Sequence, residues 1–373
     1  MLGSFGSFGS FAVSGSGAVG TSARAFVLID EFGDIIFESN AHTKLPMAST
    51  TKIMTAMVVL DCLDVTDIVS VPKEAVGIEG SSAYLKHGEK LSVNDLLCAL
   101  LLQSANDAAV ALAVSAKGSV ADFCVSMNEK AEKMGLTGTH FDNPHGLDSE
   151  NHYTTAYELA IITAKAFEIP TLADIMGTKK YACTSDMGIQ RVFVNHNRLL
   201  SLYEYCIGGK TGYTKADGRC LATAAEKNGV RLIAITLDAP NDWDDHQKLY
   251  RAGFELYSEQ KLCGAFDFEQ ALSVVGSDTS SIVCTNTSAV FAYVRKNCGV
   301  NAVVELSDFE YAPICEGQSV GRVVFLQNGN EVAYAELVAA EGAQIEETKE
   351  KISLWDKIIN FFKNIFKVIF AGN

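Results

Sequence analysis

At 373 residues, 48% of them apolar, the chain is long enough for about two domains and a large core. A formal charge of −15 argues against nucleic acid as a partner. Ten cysteines without a Cys-x-x-Cys pair and seven histidines without His-Glu-x-x-His give no metal-ligand spacing, so neither metal nor cofactor is expected.

Residues 1–21 are Gly/Ser/Phe-rich with a Gly-Ser-Phe repeat. The first basic residue is Arg24, and no apolar core of signal-peptide length precedes it, so this is at most a degenerate signal region. Alternation then predicts a hairpin, Ala25–Ile29 and Ile35–Glu38, turned at Gly33. A helix-rich region follows to about Phe167. Two more hairpins are expected, Lys179–Cys183 with Gln190–Val194, and Arg219–Ala225 with Val230–Leu237 around Asn228-Gly229. A helix from about Asp242 to Tyr257 comes next. Beyond Ala265 the pattern turns to short strand-like runs, at Ser281–Cys284, Val290–Val294, Val303–Leu306, Val320–Leu326 and Val332–Val338. Residues 341–350 read as a charged linker. In 351–373 apolar residues recur at helical spacing against Asp356, Lys357, Asn360, Lys363, Asn364 and Lys367. Four lysines against Asp356 give this segment +3, leaving −18 on the rest. About 20 residues reach across a bilayer, but six polar positions favour lying in its surface.

Three elements in this frame carry chemistry. Ser49 and Lys52, in Met47-Ala48-Ser49-Thr50-Thr51-Lys52, stand one helical turn apart, where a lysine amine reaches a serine hydroxyl and can take its proton. Two other Ser-x-x-Lys matches occur. Ser70/Lys73 contains Pro72, and Ser258/Lys261 has no apolar run behind it; only Ser49 heads one, Ile53 to Leu60. Second, Ser104-Ala105-Asn106 interrupts two apolar helical stretches, Val93–Leu102 and Ala108–Val114, and turns two polar side chains toward a cleft. Third, Lys210-Thr211-Gly212 is the sole Lys-Thr-Gly of the chain. In this order they supply nucleophile, base, second proton carrier and anion site. A P-loop reading of Gly208–Thr211 fails because Glu204 stands where its first glycine is needed.

The ordered set resembles the serine acyltransferases of the penicillin-binding protein and β-lactamase superfamily. Flanking residues narrow the resemblance to the D-alanyl-D-alanine carboxypeptidases of the low-molecular-weight penicillin-binding proteins. They are Ala25–Asp30, Glu79-Gly80-Ser81-Ser82, Asn143-Pro144-His145-Gly146-Leu147, His152-Tyr153-Thr154-Thr155-Ala156 and Leu237–Asp242. The glutamate-bearing Glu-x-x-Leu-Asn of class A β-lactamases occurs nowhere, so that reading lacks its water-activating base. A non-catalytic sensor of β-lactams or wall fragments is disfavoured because all four catalytic side chains are present.

The resemblance implies an α/β (α+β) β-lactamase/transpeptidase-like sandwich over residues 22–263, a small all-β domain over 264–340 and a terminal amphipathic helix over 351–373. It implies removal of the terminal D-alanine from peptidoglycan stem pentapeptides through a Ser49 acyl-enzyme, with β-lactams as covalent inhibitors. Lys52 is then the base and Ser104 the proton relay; Asn106, Lys210, Thr211, Gly212 and Tyr213 bind substrate. No metal takes part. The enzyme is expected at the extracytoplasmic face of the bacterial cell membrane, held on the membrane surface by 351–373. Lowering Lys52 from ~10.4 to near 7 costs about 4–5 kcal/mol, which burial and Lys210 as a second cation can supply. His140, His145 and His152 are expected in structural hydrogen bonds, with His152 shaping the cleft wall and doing no chemistry. The cysteines are expected as buried free thiols, the alternative of most consequence being a Cys206–Cys220 bridge beside the Lys-Thr-Gly strand.

Overall fold

The computed structural model describes residues 19–346 and positions 355, 358 and 359. It divides into two compact units, one running to Ser258 and including Tyr293–Lys296, the other taking Glu259–Ala292 and the chain from Asn297. The division falls inside the strand Tyr257–Cys263, a few residues before the boundary the composition suggests.

The first unit is built on a five-stranded antiparallel sheet, ordered Ile35–Ser39, Ala25–Asp30, Val230–Leu237, Gly218–Lys227, Cys206–Thr214. Ala25–Asp30 is buried at every position, and Val230–Leu237 at all but one. Such strands read as continuous apolar runs because both faces are covered. On one face lie Ala156–Phe167 and the buried helix Lys52–Leu60; on the other, Leu249 and Tyr250 of Asp242–Phe254 pack onto Leu28, Leu221 and Leu232. Lys52–Leu60 is enclosed from Lys52 through Val59, which explains its lack of a polar stripe.

Two features of this sandwich position the site. Cys206–Thr214, with Lys210-Thr211-Gly212, is the edge of the sheet, so one side of its backbone carries no strand partner. The segment joining Val93–Leu101 to Asn106–Lys117 breaks at Ser104, whose backbone is left-handed at φ +61°. The first helix is fixed by a Ser92/Asp95 capping box, the second ends on Gly118 in the left-handed conformation.

The second unit is a six-stranded sheet, ordered Val300–Leu306, Ser319–Gln327, Asn330–Ala339, Ser281–Thr285, Glu269–Val275, Phe309–Tyr311. Two of its strands escape the sequence reading, and the run at Val290 is not part of it. Leu272, Ile282, Cys284, Leu337 and Phe325 fill its buried side.

The low-complexity N-terminus up to residue 18 and most of the amphipathic segment 351–373 lie outside the described residues. Trp355, Ile358 and Ile359 are helical and exposed. Among the described residues no single helix is long and apolar enough to cross a membrane. All ten cysteines are free thiols, Cys98, Cys124, Cys220, Cys263 and Cys284 among them buried and Cys62 and Cys315 exposed. Strand register separates Cys206 from Cys220, since Cys220 opposes Gly212 while Cys206 opposes Ala225.

Candidate active site

Ser49 does not sit in the α-helix. It lies in a 3-10 turn, Ala48–Thr51, and Lys52 is the first residue of the helix proper. In 3-10 geometry side chains three apart eclipse, which places Lys52 more directly over Ser49 than α spacing does. Lys52 Nζ is 2.7 Å from Ser49 Oγ and also donates to His145 O, while Ser49 Oγ lies 3.3 Å from the same carbonyl. That carbonyl is held by a loop organised on Asn143, whose Oδ1 accepts from Gly146 N at 2.7 Å and whose Nδ2 donates to Leu147 O at 2.9 Å. Thr55 of the buried helix ties the loop down by donating to Pro144 O at 2.7 Å.

The second pair is Lys210 and Ser104. Lys210 Nζ donates to Ser104 Oγ at 3.0 Å and to Thr211 O at 2.7 Å. Asn106, in the first turn of its helix, donates through its side chain to Glu79 O at 2.6 Å and through its backbone to Ser81 O at 2.8 Å. Its Oδ1 is buried with no protein partner, an acceptor left for a ligand N–H. On the edge strand Thr211 is half-buried, Gly212 buried and Tyr213 exposed. Gly212 lies against the turn Ala48–Thr51; a Cβ there would stand 3.0 Å from Ser49 N. Ser49 with Lys52 and Ser104 with Lys210 thus form two hydrogen-bonded pairs, Gly212 of the edge strand closes on Ser49, and Asn106 opens the helix that follows Ser104. Nearby opens a cavity of about 570 Å³, lined in part by Pro46, Leu147, Asp148, Tyr153 and Asp217.

The electrostatics follow from burial. Lys52 is 0% and Lys210 1% exposed. Loss of hydration pushes Lys52 well below its usual range; Lys210's charge pushes the same way, and Asp107 opposes both. Burial lowers Lys210 to about 7. His145 falls to about 3 through burial and the adjacent Lys52, so its ring is neutral. Among the described residues no group of His, Cys, Asp or Glu is arranged to hold a metal ion.

Sequence reasoning missed Asp107, which is 1% exposed and collects Ser82 Oγ at 2.7 Å, Ala83 N at 3.0 Å and Leu85 N at 3.0 Å. It thereby fixes the loop whose carbonyls hold Asn106. Its only local signal is position, directly after the Ser-x-Asn element. The loop carbonyl of His145 was equally hidden, because a backbone acceptor leaves no mark in side-chain chemistry.

Comparison with known proteins agrees with this geometry. Residues 13–241 match the family model described as D-alanyl-D-alanine carboxypeptidase, and residues 247–344 match the C-terminal domain of penicillin-binding protein 5. The chain is 30% identical over 331 residues to D-alanyl-D-alanine carboxypeptidase DacF of Bacillus subtilis, covering 86% of this chain and 85% of the relative. It is 31% identical over 369 residues to DacC of Escherichia coli, covering 94% and 90%. Among solved structures, penicillin binding protein 5 from Haemophilus influenzae superposes with a TM-score of 0.62 at 29% identity, covering 87% of this chain and 98% of that one. With two Ser–Lys pairs whose lysines are buried, and with both family models matched, the chain belongs to the D-alanyl-D-alanine carboxypeptidase family of serine peptidases.

Proposed function

We propose that this enzyme removes the terminal D-alanine from peptidoglycan stem pentapeptides, with Ser49 as nucleophile. The observation carrying this assignment is the contact of 2.7 Å between Ser49 Oγ and a lysine whose burial favours its neutral form. A neutral amine holds a lone pair and takes the hydroxyl proton as Oγ attacks the penultimate carbonyl. Ser104 then delivers its proton to the departing D-alanine amine and takes a replacement from Lys210, whose Nζ donates to its Oγ. Lys210 and Thr211 take the substrate's terminal carboxylate, and Asn106 Oδ1 accepts an amide N–H of the peptide. The backbone N–H groups of Ser49 and Tyr213 receive the developing oxyanion. An extended peptide pairs with the unpartnered backbone of Cys206–Thr214, as β-augmentation requires. Water completes hydrolysis of the acyl-enzyme. β-Lactams enter the same path and stop at the acyl stage.

Mass spectrometry tests this directly. The wild-type protein is expected to release one alanine from a pentapeptide ending in D-Ala-D-Ala and to carry a penicilloyl adduct. Ser49→Ala is expected to do neither, and an adduct on that variant overturns the assignment.

The catalytic role falls to the first unit, the second serving as a stalk, and residues 351–373 rest on the outer face of the bacterial cell membrane. The reading draws on the sequence pattern of apolar and lysine faces and on the family. Truncation after residue 350 is expected to abolish cosedimentation with anionic phospholipid vesicles while D-alanine release persists. A truncated protein that still cosediments sinks the anchor.

A further inference from the structure

Thr51, one residue before the base, sits between two partners. Its Oγ1 donates to Ala48 O at 2.7 Å, and the same oxygen lies 2.7 Å from His152 Nε2. A hydroxyl has one proton. With that proton on Ala48 O, the contact to His152 is a donation from Nε2–H. The other side of the ring demands the same tautomer independently, because His152 Nδ1 accepts from Asp142 N at 3.1 Å. Burial lowers the ring to about 4, chiefly through lost hydration, so it stays neutral wherever the enzyme works. The direction of the chain is therefore fixed: Asp142 N–H to His152, His152 to Thr51, Thr51 to Ala48 O.

The end of that chain matters. Ala48 O and Ser49 N belong to one planar peptide group, so aiming the carbonyl aims the N–H the opposite way. Ala48 is left-handed at φ +47°, a conformation that an alanine abandons unless its surroundings hold it. Nothing in the chemistry of Ser49, Lys52, Ser104 or Lys210 uses Thr51 or His152.

We propose that His152 and Thr51 are positioning residues for the oxyanion hole: the ring orders the Thr51 hydroxyl, which turns the Ala48–Ser49 peptide so that Ser49 N–H points into the cleft. This rests on the assignment of Ser49 given above. The hole is used in the transition state more than in the ground state. Loss of the relay therefore lowers kcat and leaves KM nearly alone.

The test uses the full chain with Thr51→Val, Thr51→Ser, His152→Phe and His152→Gln. Gln retains both a donor for Thr51 and an acceptor for Asp142 N–H. Thr51→Val and His152→Phe are expected to lose about 10–100-fold in kcat for D-alanine release with KM within about twofold. Thr51→Ser and His152→Gln are expected to stay within about threefold of wild type. Infrared spectra of the acyl-enzyme formed with carbonyl-¹³C penicillin supply a second readout, restricted to folded molecules because only they acylate. The ester carbonyl is expected at higher frequency in Thr51→Val and His152→Phe and unshifted in Thr51→Ser and His152→Gln. Unchanged frequency and kcat in the first two, while Ser49→Ala forms no adduct, overturn the relay and leave the nucleophile standing; acylation of Ser49→Ala overturns the nucleophile itself.

Discussion

Lys210→Met is expected to fold more stably than the wild type while working poorly. Lys210 is wholly enclosed, and burial lowers it from 10.5 to about 7. The sign follows from linkage. Below pH ~10 an unfolded lysine binds a proton that the folded one binds less readily, so acidification favours the unfolded state until the folded pKa is passed. The contribution is thus lost as pH falls from about 10 to about 7 and is flat below. Each unit is worth about 1.4 kcal/mol, which makes roughly 5 kcal/mol the upper bound. Methionine fills similar volume without that cost but leaves Ser104 Oγ and Thr211 O short of a donor, at about 1–3 kcal/mol. A net gain on the order of 2 kcal/mol in urea unfolding is expected. Catalysis moves the other way. Without the like charge, Lys52 rises, so the acid limb of the pH profile for acylation shifts to higher pH. A destabilised variant, or one whose acid limb stays in place, counts against the arrangement.

Local pattern decided what was legible in the sequence. Ser49 and Lys52 could be read because they head the apolar run Ile53–Leu60, Ser104 and Asn106 because they interrupt two apolar stretches, and Lys210 because Lys-Thr-Gly occurs once in the chain. The central strands could be read because runs such as Ala25–Asp30 and Val230–Leu237 are long, apolar and bounded by turns. Contacts made across long stretches of chain could not. The His145 carbonyl on Lys52, Asp107 under its loop and His152 on Thr51 each join segments whose local pattern says nothing of the other. His152 lines the cavity wall as expected, but nothing in the sequence showed that its ring also bonds Thr51. The left-handed backbone at Ala48 and Ser104 was also invisible, since neither is a residue type that announces a positive φ. In the second unit, Phe309–Tyr311 is too short for periodicity to register, and Glu269–Val275 mixes polar residues along a strand exposed on one side.

Gly146 is where that long-range packing is most exposed to test. It lies at φ +86°, and a Cβ there would stand 2.0 Å from Ala48 O, 2.4 Å from Ala48 C and 2.9 Å from Ser49 N. All three are backbone atoms of the nucleophile turn and cannot rotate away. Gly118 provides the control: it is also left-handed, at φ +83°, but nothing lies within 4 Å of the added carbon. Gly118→Ala therefore carries only the conformational cost of an alanine at a helix C-terminus, about 1 kcal/mol, and acylation by penicillin is expected to be unchanged. Gly146→Ala adds the collision to that strain. It is expected to lose more than about 3 kcal/mol of stability and at least about 10³-fold in acylation rate, because the turn must shift away from Lys52 and the edge strand. Urea midpoints and adduct formation on the two variants separate backbone strain from displacement of the nucleophile. Equal losses in both would mean that the loop Asn143–Leu147 does not brace Ser49, and that the 3-10 turn holds its geometry by itself.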